Sequence, residues 1–191
     1  MAEQLIILTV GFILTSVIGG LLAYFFQNRS WKYQNTEKLA ESERSTATVV
    51  YEDISKLLDK RLYRMRQLHW KLDDLNLEPE VLEKYMNDYR DILYEWNDRL
   101  NRNLALTQAY FGDEIRTVLE HTIFEEFKRI GVLLEQSYLQ KKKNSNIVNS
   151  EQISKDLAKL SNTIYLINLR MIELIQNGKV GVFKPDHTKK M

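Results

Sequence analysis

The most constraining feature of this sequence is a run of 22 residues, Leu5 to Phe26, without a formally charged side chain. At about 1.5 Å per residue, a helix of this length matches the roughly 30 Å hydrocarbon core of a bilayer. The run is apolar on every face, whereas a helix on the surface of a soluble domain needs a polar face. We therefore predict a membrane-spanning helix, with a buried helix of a soluble core as one alternative.

A cleaved signal peptide is the other alternative for this run. Such peptides typically have a basic start, an apolar stretch of roughly 7–15 residues and a cleavage site made of small residues. Here the chain starts Met-Ala-Glu-Gln, the apolar run is longer, and no small-x-small site follows it. We expect an uncleaved transmembrane anchor over residues 1–27, with the lipid bilayer as a partner.

The charges that flank the run predict its orientation. Glu3 precedes it, whereas Arg29 and Lys32 follow it before the first acidic residue, Glu37. Because positively charged flanks stay on the cytoplasmic side, we expect the N-terminus outside and the large domain in the cytoplasm. The absence of cysteine fits a cytoplasmic domain and excludes a disulfide framework. A net charge of +1 gives no bulk signature of nucleic-acid binding.

Beyond the anchor, the pattern predicts an all-α chain. Residues 28–48 are mostly polar and contain neither glycine nor proline, which favours a helical stalk that Ser45, Thr46 or Thr48 could interrupt. Residues 49–178 carry four amphipathic segments with short connections, which predicts an antiparallel four-helix bundle. Residues 179–191 form a basic tail. The predicted bundle helices are 49–75, 79–111, 113–141 and 150–178.

The last bundle helix has the most regular pattern. Its apolar residues alternate in spacings of three and four, which is a heptad seam. These seam residues are Ile153, Leu157, Leu160, Ile164, Ile167, Met171 and Leu174.

Small residues gather on one side of the predicted span. At spacings of four, such residues let helix backbones approach closely in lipid, which predicts a homo-oligomer. The alternative is that small residues are merely tolerated in a membrane helix. In a ring of spans, Thr9, Ser16 and their small neighbours would line a pore. This small-residue face consists of Thr9, Gly11, Thr15, Ser16, Gly19, Gly20 and Ala23.

Few residues are suited to catalysis. The three histidines do not form a His-Glu-x-x-His motif, and there is neither a phosphate-binding glycine loop nor a Gly-x-Ser-x-Gly elbow. We therefore predict no metal and no cofactor. One arrangement remains, in which Arg116 and His121 are separated by four residues, as are Arg64 and His69. An imidazole can transfer a proton while a guanidinium holds a phosphate, which is the chemistry of metal-independent RNA cleavage.

Structural roles are the alternative for the Arg116 and His121 pair. Five residues of an α-helix leave two side chains about 140° apart. That geometry favours an Arg116 paired at the apolar side and a His121 pointing outward to solvent.

The Arg-x4-His spacing resembles that of HEPN domains, which are helical bundles that use Arg and His to cleave RNA. With its single N-terminal span, the whole chain resembles the membrane accessory proteins of type VI-B CRISPR systems. This resemblance implies a HEPN-like fold, a homo-oligomeric pore in the bacterial inner membrane, and action with an RNA-guided nuclease against phage. Arg116 and His121 match the motif, although Thr117 stands where these domains often have Asn, Asp or His.

Three functions follow as hypotheses. The first is an oligomeric membrane effector that forms a pore or depolarises the membrane. The second is a membrane-tethered RNase that binds RNA through Arg116 and His121. The third is a scaffold that recruits a partner to the membrane.

Overall fold

The computed structural model of the protein describes residues 2–74, 76–143 and 150–181, and every regular element among them is a helix. The prediction of an all-helical chain is confirmed. The elements are α1 (Ala2–Asp73), α2 (Pro79–Phe111), α3 (Asp113–Thr117), a π-helical segment (Val118–Ile123), α4 (Phe124–Lys142) and α5 (Ser150–Gln176).

Helix α1 runs without interruption through the predicted anchor, the stalk and the first bundle helix. Ser45, Thr46 and Thr48 therefore do not break it. The Thr48 hydroxyl donates a hydrogen bond to the Arg44 carbonyl, 3.0 Å away, which satisfies the side chain inside the helix. By its contacts the chain divides into two compact units, of which one contains Met1–Ser42 and the other is Glu43–Lys184.

In the first unit, the N-terminal part of α1 buries none of its large apolar side chains. Exposed fractions between Leu5 and Phe26 run from 49% at Ile18 to 76% at Leu8. By length and composition, α1 is the one helix in the described ranges that could span a membrane.

In the second unit, the helices pack around one core. Lys60 and Arg64 of α1 pair with Glu95 and Asp88 of α2 at 2.6 and 3.0 Å, respectively. Because the α2 partner moves back along the chain as the α1 residue moves forward, these two helices are antiparallel. Between α4 and α5, Arg129 pairs at 2.7 Å with Asp156, a carboxylate that is almost fully buried.

The heptad seam of α5 faces this core. Six of its seven predicted residues are buried, and Leu174 is partly buried against them. The seam is therefore the packing face of α5, as its spacing predicts.

The end of α1 is held by α4. The Lys141 ammonium donates to the carbonyls of Lys71, Leu72 and Asp74, at 3.2, 2.6 and 2.5 Å. The last carbonyls of a helix have no partner within it, so a cation there satisfies them and complements the helix dipole.

Packing continues past the predicted end of the bundle at residue 178. Val180 is buried, and the Gly181 amide donates to the Tyr110 carbonyl at 3.0 Å. The rest of the predicted basic tail, residues 182–191, lies outside the described residues.

Candidate functional site

The Arg-x4-His sequence that begins at Arg116 lies where α3 passes into the π-helical segment. The Phe124 amide donates to the Leu119 carbonyl, five residues earlier, instead of the four of an α-helix. This bonding inserts one extra residue in the turn, and such turns occur frequently at functional sites. Val118–Ile123 contains neither glycine nor proline, so no residue there signals the segment in the sequence.

Both side chains of the motif reach the same carboxylate. An Arg116 η nitrogen lies 2.5 Å from Oε2 of Glu120, and His121 Nε2 lies 3.8 Å from the same oxygen. The Glu120 carboxylate therefore lies near both polar groups. The i→i+5 bonding adds one residue to this turn, so the angle of about 140° that 3.6 residues per turn predicts does not apply to it unchanged.

The charges around Arg116 favour an ion-pair cluster. The Arg116 guanidinium pairs with two carboxylates. Asp113, three residues earlier, lies 3.5 Å from it, and Glu120 follows four residues later. Arg116 is about one-third exposed, whereas His121 is 69% exposed. A phosphate at this guanidinium would meet the two negative charges already there. The geometry therefore matches the paired arginine and the surface histidine better than a phosphate-holding pair.

The second Arg-x4-His sequence divides its two residues between separate contacts. Arg64 donates to Asp88 and Gln67, at 3.0 and 2.9 Å. His69 is buried, with Nε2 3.7 Å from Asp73. Burial lowers the pKa of His69, and the Asp73 carboxylate offsets part of that effect. A buried, neutral histidine is a core residue and is poorly placed to meet RNA.

We expect Arg116→Ala to be the more damaging change of the motif. It leaves the Glu120 carboxylate without its closest cation, and for a partly exposed pair the loss is about 1 kcal/mol of unfolding free energy. His121→Ala should stay within about 0.5 kcal/mol of wild type, because the side chain is mostly exposed. Thermal unfolding of the two variants measures both effects.

The purified wild-type protein is expected to cleave no RNA. Incubation of a labelled RNA in the presence of a metal chelator tests this, with His121→Ala as the matched variant. Metal-independent cleavage by wild type that is lost in His121→Ala would make the nuclease the leading function.

A second polar group, Arg61, was missed by the sequence analysis. It is only 1% exposed, and its guanidinium carbon lies 4.4 Å from the Phe127 ring centroid and 5.6 Å from that of Trp96. Its ε and η1 nitrogens have no hydrogen-bond partner, and the Tyr89 phenol lies close to the guanidinium. Burial lowers the pKa of Arg61 to about 10, so it stays protonated at neutral pH.

The signal that could have found Arg61 is a substitution within a regular pattern. It occupies the place of an apolar residue in the buried stripe of α1, where the spacings alternate four and three. That stripe is Ile54, Leu58, Arg61, Met65, Leu68 and Leu72. Fully buried arginines are rare unless they are paired, which makes such a position unusual.

The small-residue face lies on the exposed part of α1. The Thr9 and Thr15 hydroxyls donate to the carbonyls of Leu5 and Gly11, each at 2.8 Å, so their donors are satisfied within the helix. A Cβ atom built at Gly11, Gly19 or Gly20 meets nothing within 4 Å. At these glycines the helix backbone is therefore open to approach, and no other part of the described chain covers it.

Within the ranges that the structure describes, no group of three or more His, Asp or Glu residues could hold a metal ion. Compared with known protein families, curated proteins and solved structures, the chain has no significant match.

Proposed function

We propose that this protein is an oligomeric single-pass membrane effector, anchored by residues 5–26. The observation that carries the proposal is the exposure of the whole apolar run in α1. Exposed apolar surface of this extent is strongly unfavourable in water and marks a membrane or protein interaction site. Because the exposed side chains surround the helix, lipid is a better match for them than a partner on one face.

The proposed location is the bacterial inner membrane, with the helical bundle in the cytoplasm. Arg29 and Lys32 support this orientation through the positive-inside rule. Tyr24 lies near the C-terminal end of the apolar run, Trp31 and Tyr33 follow it, and all three are exposed. Aromatic rings of this kind are favoured at the level of the lipid headgroups.

Self-association of the spans is proposed from the small-residue face. Without side chains at Gly11 and Gly19, two backbones can approach closely and gain van der Waals contacts, which drive helix association in lipid. No Asp, Glu, Lys, Arg or His lies within the run, so the spans carry no internal charge to repel one another.

A ring of such spans would act on the membrane itself. Thr9 and Ser16 would provide its polar lining, and a pore lined this way would discriminate poorly between ions and would depolarise a cell. The resemblance to accessory proteins of type VI-B CRISPR systems supports a role in antiphage defence with an RNA-guided nuclease as partner, and with a HEPN-like bundle. Loss of membrane potential in cells expressing the full chain, measured with a voltage-sensitive dye, tests this role.

Gly19→Leu is expected to weaken self-association while leaving membrane insertion intact. Leucine is favourable in lipid and meets no atom of its own chain at this position, so its effect would come from a neighbouring span. The particle mass in detergent should fall in Gly19→Leu. The matched control is Val10→Leu, because Val10 is nine residues or about 2.5 turns away, on the opposite face.

An unchanged mass and an unchanged depolarisation in Gly19→Leu would contradict the packing role of this face. The scaffold would then be the better hypothesis, because it requires the anchor but no association of spans.

A further inference from the structure

A cavity of about 200 Å³ lies beside the buried Arg61. Arg61 and Tyr89 line it from α1 and α2, and Lys128, Gly131 and Glu135 line it from α4. Asn97 and three apolar side chains complete the wall. It is smaller than the roughly 300–1,000 Å³ pockets of drug-sized ligands, so any occupant is a small molecule. We call this the Arg61 cavity.

The charge of Arg61 is only partly compensated by the protein. The Phe127 and Trp96 rings make cation–π contacts that stabilise the charge of Arg61, but these contacts leave two of its N–H groups without a hydrogen-bond acceptor. In the described part of the chain, no carboxylate oxygen lies within 4 Å of this guanidinium. A buried donor without an acceptor costs free energy, and more so when it is charged. The missing interaction is therefore that of an anion.

Tyr89 also favours an anion in the cavity. A guanidinium can only donate, so a phenol beside Arg61 can accept from it and still donate its own O–H to an anion in the cavity. The hydroxyl occupies space that only a glycine leaves open, because a Cβ built at Gly131 would collide with it. Glycine is unfavourable inside a helix relative to alanine, and here it makes room for a donor beside Arg61.

We propose that the Arg61 cavity binds the carboxylate or phosphate group of a small soluble molecule, with Arg61 as its charge partner and Tyr89 as a second donor. Lys128 also lines the cavity, from an exposed position at which its ammonium lies 3.7 Å from the Glu125 carboxylate. Glu135 also lines the cavity and opposes the anion, so it limits the affinity. This ligand site is independent of the proposed membrane function.

Thermal unfolding of the full chain in detergent tests the site, with inorganic phosphate and sodium acetate as separate probes at constant ionic strength. At about 100 times the Kd of the better probe, the wild-type Tm should rise by about 5–10 °C. The probe that acts identifies the anion as phosphate or carboxylate. Arg61→Met should lose this shift, whereas Lys60→Met, at the exposed neighbouring position of α1, should keep it.

Glu135→Gln provides a test that does not depend on removing Arg61. Removal of a nearby negative charge should lower the half-saturating concentration of the active probe about three- to tenfold. The proposal is overturned if neither probe shifts the wild-type Tm, or if Arg61→Met responds as wild type does. An unchanged half-saturating concentration in Glu135→Gln would equally place the anion outside this cavity.

Discussion

Leu160→Asp is expected to unfold the helical bundle. Leu160 is 1% exposed and belongs to the seam by which α5 faces the core. The change removes apolar packing and places a carboxylate in an apolar core, at a cost of several kcal/mol. Since a domain of this kind has about 5–15 kcal/mol of stability in total, the loss is a large part of it. Circular dichroism on heating should show the cooperative transition shifted far down or absent.

The matched control for this change is Leu166→Asp in the same helix. Leu166 is 55% exposed, so the new carboxylate stays hydrated and stability should change by no more than about 0.5 kcal/mol. Equal melting temperatures for Leu160→Asp and wild type would show that the seam is not the packing face of α5.

The double change of Leu14→Arg with Ile18→Arg is expected to abolish membrane insertion. Both residues lie near the middle of the uncharged run and are about half exposed on α1. An arginine at the centre of a membrane helix costs about 2.5–3.5 kcal/mol on the insertion scale, so two cost about 5–7 kcal/mol. The variant should be released from membranes by alkaline extraction, whereas wild type stays in the pellet.

Two added arginines outside the run provide the control. Gln34→Arg with Leu39→Arg places the same charge in the polar part of α1, and this variant should remain in the pellet. Retention of the Leu14→Arg, Ile18→Arg variant in the pellet would mean that another part of the chain holds it at the membrane.

Much of the fold could be predicted from local signals. Pro79 begins α2 and Gly112 follows its end, as the predicted range 79–111 requires. A proline fits the first turn of a helix, and Gly112 has a φ of 90°, which favours a glycine. Spacings of three and four residues then identified the faces that pack, because side chains at those spacings share one side of a helix.

The π-helical segment and Arg61 could not be predicted in the same way. A π turn is one extra residue in a helix, and Val118–Ile123 reads as an ordinary amphipathic helix when 3.6 residues per turn are assumed. Arg61 interrupts an apolar stripe, so the pattern of apolar residues alone does not identify it as a buried residue. Its burial depends on Trp96 and Phe127, which come from two other helices that local spacing does not bring together.

The central claim is that residues 5–26 cross the membrane, and cysteine labelling tests it most directly. The chain contains no cysteine, so Glu3→Cys, Val17→Cys and Glu37→Cys each give one defined thiol for a membrane-impermeant maleimide. Val17 lies near the middle of the run and away from the small-residue face, so we predict that Glu3→Cys is labelled in intact cells, Glu37→Cys only after permeabilisation, and Val17→Cys only after denaturation in detergent. Labelling of Val17→Cys as fast as Glu37→Cys in permeabilised cells would contradict a membrane span, because residue 17 would then be in water.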